Sequence, residues 1–143
     1  MGIRFTKLDG QGQPLPDDAT EWVGVLDNTA ALIWSVKELK RGTWKRASAA
    51  VAELDIAGFS DWRLPTVEEL FLLADHSKNS PAINTAFFPD CKSDWYWTST
   101  PAASSPGGFA WLVFFGDGFA NWSNHGSDFC VRAVRASQRR QAE

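Results

Sequence analysis

The sequence predicts an α+β fold: two packed helices and one sheet system whose later strands form an antiparallel meander. Three observations carry this expectation. Thr66-Val67-Glu68-Glu69 follows Pro65 with the spacing of a capping box, in which Thr66 and Glu69 each satisfy a backbone N–H at a helix start. Apolar residues recur at helical spacing around it, at Trp44, Ala47, Val51 and Leu54 and again at Leu70, Leu73 and Ala74. Beyond Trp95 the pattern changes to short aromatic and β-branched runs separated by Gly, Pro and Asn-rich turns. Helices followed by a run of strands is an α+β order.

Taken in order, Ile3 to Leu8 alternates and reads as a first strand, followed by a Gly- and Pro-rich loop from Asp9 to Pro14. Glu21 to Leu26 reads as a second short strand, and Ala31 to Val36 as a buried one. Lys37 to Gly42 is a polar connection. Thr43 can cap a first helix from Trp44 to about Leu54, with Gly58 as its stop. Pro65 disfavours helix at Leu64, so the second helix starts after it and runs from Val67 to about Ala74. His76 to Asn84 is a loop, and Ala86-Phe87-Phe88-Pro89 plugs the core. Trp95 to Thr100, Phe109 to Phe115, Phe119 to Ser123 and Phe129 to Val134 are the later strands, with Gly116-Asp117-Gly118 as a tight turn. The N-terminal strands are expected to join the same sheet beside the C-terminal strand. Residues 1–136 make one domain and 137–143 a polar tail.

Composition excludes several classes. The net charge is −3, and the basic cluster of Arg132, Arg135, Arg139 and Arg140 lies near the C-terminus, so nucleic-acid binding by phosphate neutralisation is not expected. No apolar stretch is long enough to span a bilayer, and none follows Met1 as a signal peptide would; a cytoplasmic or virion setting is expected. Cys91 and Cys130 read as reduced, buried thiols, with a single bridge left open. The unusual feature is 8 Trp and 10 Phe against 1 Tyr, which implies irregular aromatic packing or an aromatic binding face. Such a surface also leaves homo-oligomers open.

The motif order is Leu32-Ile33-Trp34, a helix, Gly58-Phe59-Ser60-Asp61-Trp62-Arg63-Leu64-Pro65-Thr66 with Glu69-Leu70, Ala86-Phe87-Phe88-Pro89, Tyr96-Trp97-Thr98-Ser99, a Gly-Asp-Gly turn and Val131-Arg132-Ala133-Val134-Arg135. Over roughly Ala31 to Arg135 it resembles a bacterial and phage family long called a domain of unknown function, DUF1566. The family is also named for the C-terminal domain of a collagen-like Legionella adhesin. The Arg63-Leu64-Pro65-Thr66 element is similar to one in formylglycine-generating-enzyme-like domains. Both resemblances imply a C-type-lectin-like fold, whose ligand surface is built from the loops and strands of the second half. By position that implies Trp95 to Trp97, the Pro101–Gly108 loop and Phe119 to Asp128.

The candidate contact residues are therefore Trp95, Trp97, Asp117, Phe119, Asn121, Trp122, Asn124, His125 and Asp128. An aromatic among Asn and His is a mixture that interaction surfaces favour; the alternative is that Trp122 packs on the sheet and its polar neighbours form turns. Trp62, Arg63, Pro65, Thr66 and Glu69 are expected to be scaffold, with Trp62 in the core and Asp61 and Arg63 satisfying backbone groups or each other. No catalysis is expected. The cysteines do not match the context that formylglycine chemistry needs, His76 and His125 lie in polar loops, and no nucleophile elbow, zinc spacing or nucleotide fingerprint is present. No cofactor is expected, although Asp117, Asn121, Asn124 and Asp128 could supply oxygens to a structural calcium. The partner expected is a protein, as for a phage or mobile-element product acting on a host component, with a glycan as the alternative.

Overall fold

The computed structural model describes residues 4–102 and 108–137. Among them the chain forms β1 (Phe5–Leu8), β2 (Gly24–Asp27), β3 (Leu32–Ser35), β4 (Leu39–Gly42), α1 (Trp44–Ala52), α2 (Val67–Leu73), β5 (Trp95–Pro101), β6 (Phe109–Phe114), β7 (Phe119–Asn124), β8 (Phe129–Val131) and β9 (Val134–Ala136). The fold is α+β with two helices, as the sequence predicts. Most of the Pro101–Gly108 loop and of the expected tail lies outside the described residues.

The single sheet expected is two sheets, ordered β1-β2-β3-β9 and β4-β8-β5-β6-β7. The expected last strand is the reason. It breaks at Arg132 and Ala133, so that β8 enters one sheet and β9 the other. β9 pairs antiparallel with β3, Leu32 opposite Ala136, which places the N-terminal strands beside the C-terminal one as expected. β8 pairs with β5 in parallel at Tyr96 and Cys130, so the larger sheet is mixed rather than antiparallel. The Lys37–Gly42 connection contains β4, whose strand state comes from pairing with β8 rather than from its own Leu-Lys-Arg-Gly composition.

The two helices lie over different cores. Leu70 and Leu73 of α2 pack with Val25, Trp34, Phe88, Tyr96 and Val113. Ala47 and Val51 of α1 pack with Ile33, Trp62, Trp97, Leu112 and Val131. Successive side chains of a strand point to opposite faces, so Tyr96 and Trp97 each face a different helix. Trp62 and Phe88 are buried as the sequence predicts.

Arg132 holds the two sheets together. Its guanidinium is buried and donates from Nη1 to Ser35 O at 2.7 Å and Val36 O at 2.8 Å, and from Nη2 to Glu38 Oε2 at 3.0 Å. Glu38 is almost as buried, and its carboxylate also accepts from the Tyr96 hydroxyl and from Lys92 Nζ at 3.2 Å. Ser35 Oγ accepts Ala133 N–H at 2.9 Å. The corner between β3 and β4 is thus tied to the corner between β8 and β9.

The capping box forms: Glu69 N–H donates to Thr66 Oγ1 at 3.1 Å, and Thr66 N–H donates to Glu69 Oε1 at 2.9 Å. Arg63 and Asp61 each form an ion pair with a residue further along the chain. Arg63 donates to both Glu69 carboxylate oxygens at 2.8 Å, and Asp61 accepts from Arg135 Nε at 2.6 Å and Nη2 at 3.0 Å. Arg63 Nη1 also donates to Leu64 O at 3.3 Å, a backbone contact of the kind expected, while the charges of both residues are matched further along the chain. Pro65 O accepts Ser99 N–H at 2.8 Å, pinning the link to β5. α1 starts at its Thr43 cap as expected but ends at Ala52, so Gly58 is not its stop. Gly58 instead sits at φ +79° in a tight turn closed by Ile56 and Phe59.

Two predictions follow from these contacts. Arg132→Met should lower unfolding free energy by about 3–5 kcal/mol in urea titrations, because Glu38 stays buried without its cation, and adding Glu38→Met should recover part of the loss. Burial raises the Glu69 carboxyl pKa, but the hydrogen bonds from Arg63 and Thr66 outweigh it and hold the group below the ordinary carboxylate range. The unfolded chain therefore takes up this proton first as pH falls. The stabilisation is complete above the unfolded carboxylate pKa and drains away as pH drops towards the lower folded-state value. Glu69→Gln should be less stable than the parent at neutral pH, with the gap between their urea midpoints closing from about pH 5 downwards.

Candidate functional site

Helix α2 is too apolar for one buried stripe. Its sequence, Val-Glu-Glu-Leu-Phe-Leu-Leu, buries Leu70 and Leu73 and leaves Phe71 40% and Leu72 62% exposed. Opposite them stands the α2-facing side of β6 and β7, where Trp111 pairs with Trp122 and Val113 with Ala120. Val67, Glu68, Phe71, Leu72, Trp111 and Ala120 line a groove of about 380 Å³ between helix and sheet. Trp122, 46% exposed, meets Trp111 edge to face at 5.1 Å and extends the apolar surface along β7. Among the described residues Glu68 is the one charged residue in the lining.

The turn that launches β7 is fixed against the same helix. His76, just beyond α2, packs its ring 4.3 Å from Phe71 and donates from Nε2 to Gly118 O at 3.0 Å. Gly118 has φ +90°, and a Cβ there would lie 2.5 Å from the His76 ring. Only glycine fits both the conformation and the space.

The residues singled out from the sequence do not form one site. Trp122 joins the groove. Strand alternation puts Phe119 and Asn121 on the opposite face of β7. Phe119 is 67% exposed there, beyond Phe114, which packs on half-buried Trp95 at 4.8 Å. Trp97 is fully buried and donates from Nε1 to Gly42 O at 2.9 Å, so it belongs to the core and not to a ligand surface. His125 stacks on Trp44 at 4.3 Å, and its C=O accepts Trp44 N–H at 3.0 Å, which makes it part of the α1 anchorage. Asp117, Asn121 and Asn124 turn their Oδ1 atoms to the backbone N–H groups of Phe119, Trp122 and Gly126. Asp128 offers its carbonyl to Arg41 at 2.8 Å. These four are turn and edge formers, the alternative left open by the sequence. Among the described residues no three His, Cys, Asp or Glu side chains come together as a metal site.

Ala120 falls in the Phe119–Asp128 segment singled out from the sequence, whereas Val67, Glu68, Phe71, Leu72 and Trp111 were not among the candidate contact residues. The legible signal was Phe71-Leu72, two large apolar residues outside the Leu70 and Leu73 stripe of a short helix.

Cys91 and Cys130 are both unbridged, in agreement with the reduced state expected. Burial pushes both thiols up, Cys130 to about 11, away from the reactive thiolate. Among the described residues no helix is long and apolar enough to cross a membrane.

If Leu72 is groove lining rather than core, Leu72→Asp should change unfolding free energy by no more than about 0.5 kcal/mol. Leu73→Ala, one residue on and buried, should cost about 2–5 kcal/mol. Paired thermal and urea melts distinguish the two.

A search of curated proteins finds no match to this chain. The sequence pattern of the Lcl C-terminal domain family matches residues 24–135, from the start of β2 into β9. That span includes the capped link, both helices, the groove and the Arg132 tie, and the chain belongs to the Lcl C-terminal domain family.

Proposed function

We propose that this protein is a non-catalytic recognition module that binds a protein partner through the groove between α2 and β7. The observation that carries the reading is the exposed apolar surface of Phe71, Leu72 and Trp122 around a concave lining with a single charge. A packed domain of this size has little reason to leave three large apolar side chains together on its surface unless something covers them. Protein interfaces are rich in aromatic residues and poor in charge at their centre. A glycan needs several polar partners arranged around an aromatic platform, and among the described residues Glu68 is the one charged side chain beside the Trp111 ring in the lining. The raised cysteine thiols support a role without nucleophilic chemistry.

The finer fold reading is C-type-lectin-like. It is supported by two helices packed against β-sheets and by the pairing of β3 with β9, which sets an early strand beside the last one. A phage or mobile-element protein meeting a host component in the cytoplasm or on a virion is the setting that best suits such a module. The net charge of −3 would speed its approach to a basic surface.

Three immobilised baits test the site: the unmodified chain, Leu72→Asp and Phe119→Asp. The expected result is one partner retained by the unmodified chain and by Phe119→Asp, and lost by Leu72→Asp with its melting temperature unchanged. Loss at Phe119→Asp alone would move the site to the opposite face of β7. Saturable binding on a polysaccharide array, abolished by Trp122→Ala, would replace the protein partner with a glycan.

A further inference from the structure

Four strands border the two sheets, and three of those edges are closed. β1 is flanked by Pro14 and Leu15, which bridge Leu8 and donate Leu15 N–H to Lys7 O at 2.8 Å. β9 is flanked by Arg63, whose N–H and C=O bracket Val134 at 2.9 Å each. β4 is short and carries exposed Lys40 and Arg41, charges of the kind that deter pairing. Among the described residues β7 has none of these devices. Its six residues, Phe-Ala-Asn-Trp-Ser-Asn, contain no charge and no proline, and all but Ser123 are exposed.

The backbone of β7 has a definite outward side. His125 N–H donates to Gly108 O, so His125 faces β6. Alternation in an antiparallel pair then turns the N–H and C=O groups of Ala120, Trp122 and Asn124 away from the sheet. Trp122 N–H donates to Asn121 Oδ1 at 2.8 Å, a local contact with an exposed side chain that an incoming strand can displace. Side chains of a strand added here would alternate between faces, and one set would lie on the Ala120 and Trp122 side, where the groove is. There Glu68 is acidic and, among the described residues, has no side-chain hydrogen bond or ion pair. Its neighbour Glu69 is fully engaged by Arg63 and Thr66.

We propose that the β7 edge takes an extended segment of a partner protein by strand addition, with apolar side chains entering the α2 groove and a lysine or arginine meeting Glu68. The proposal rests on the groove being the recognition surface and adds the conformation and charge of its occupant. Backbone pairing supplies affinity, and the alternate side chains supply selectivity. A second copy of this chain fits less well, because it brings another net charge of −3 and the same acidic groove in place of a cation.

The probe is a synthetic peptide of about eight residues, alternating valine and threonine with lysine at both ends, beside a counterpart with glutamate for lysine. Amide hydrogen exchange on the unmodified chain should show new protection at Ala120, Trp122 and Asn124 when the lysine peptide is added. The lysine peptide should bind about fivefold tighter than the glutamate one, and Glu68→Lys should reverse the preference. Ala120→Pro removes an outward N–H that no sheet bond uses, and should weaken the lysine peptide about tenfold. Absence of protection along β7 overturns the proposal, and this measurement needs no variant to fold. Full binding by Ala120→Pro together with loss at Leu72→Asp discards the strand and keeps the groove. Full binding by both variants discards the two together. A dimer in sedimentation that Ala120→Pro dissolves replaces the partner with a second copy.

Discussion

The buried guanidinium of Arg132 is the constraint on which the rest of the structure depends. The chain must leave one sheet and enter another twice, after β3 and after β8, and each corner exposes backbone carbonyls inside the protein. A single side chain serves both corners by donating to Ser35 O and Val36 O while its charge is matched by Glu38. Burying an ion costs several kcal/mol unless its hydrogen bonds are complete. Here they are supplied by two carbonyls and a carboxylate, with the Phe88 ring 5.1 Å from the guanidinium carbon. The cost of desolvation is what makes the geometry specific. Few other arrangements of these two corners would satisfy the same groups.

This explains how far the fold was legible in the sequence. The capping box, the Thr43 cap, the buried Trp62 and the later strands rest on local chemistry, and local chemistry can be read from neighbours in the chain. The split of the last strand could not be read that way, because Arg132 answers to Ser35, Val36 and Glu38, nearly a hundred residues earlier. β4 was missed for a related reason: its residues are indifferent strand formers, and β8 imposes their conformation. Asp61 and Arg63 were expected to satisfy backbone groups or each other; Arg63 does reach Leu64 O, but the ion pairs with Glu69 and Arg135 depend on residues further away.

Of the candidate contact residues, Trp122 is the one that lies along the groove. Looking for ligand contacts among loops gave weight to Asp117, Asn121, Asn124 and Asp128, whose polarity serves their own turns and edge. Trp97 looked like a surface aromatic because a strand composition does not say which of its faces is covered. The groove depends on a helix and a hairpin meeting across some fifty residues of chain, with His76 and Gly118 locking them at 3.0 Å. Its one local trace was the excess of apolar residues in α2.

The pairing of β3 with β9 has a consequence for how such a domain is carried. The family match begins at β2 and ends in β9, and both strands are neighbours of β3. The two ends of the matched unit are therefore separated by about 10 Å, two strand spacings. A unit with its ends this close can be spliced into a surface loop of a larger protein without forcing that protein apart. The groove is contributed by α2, β6 and β7, elements of the other sheet and away from both ends. Tension between the ends would load β3 and its two neighbours, and leave the groove outside the path of the force.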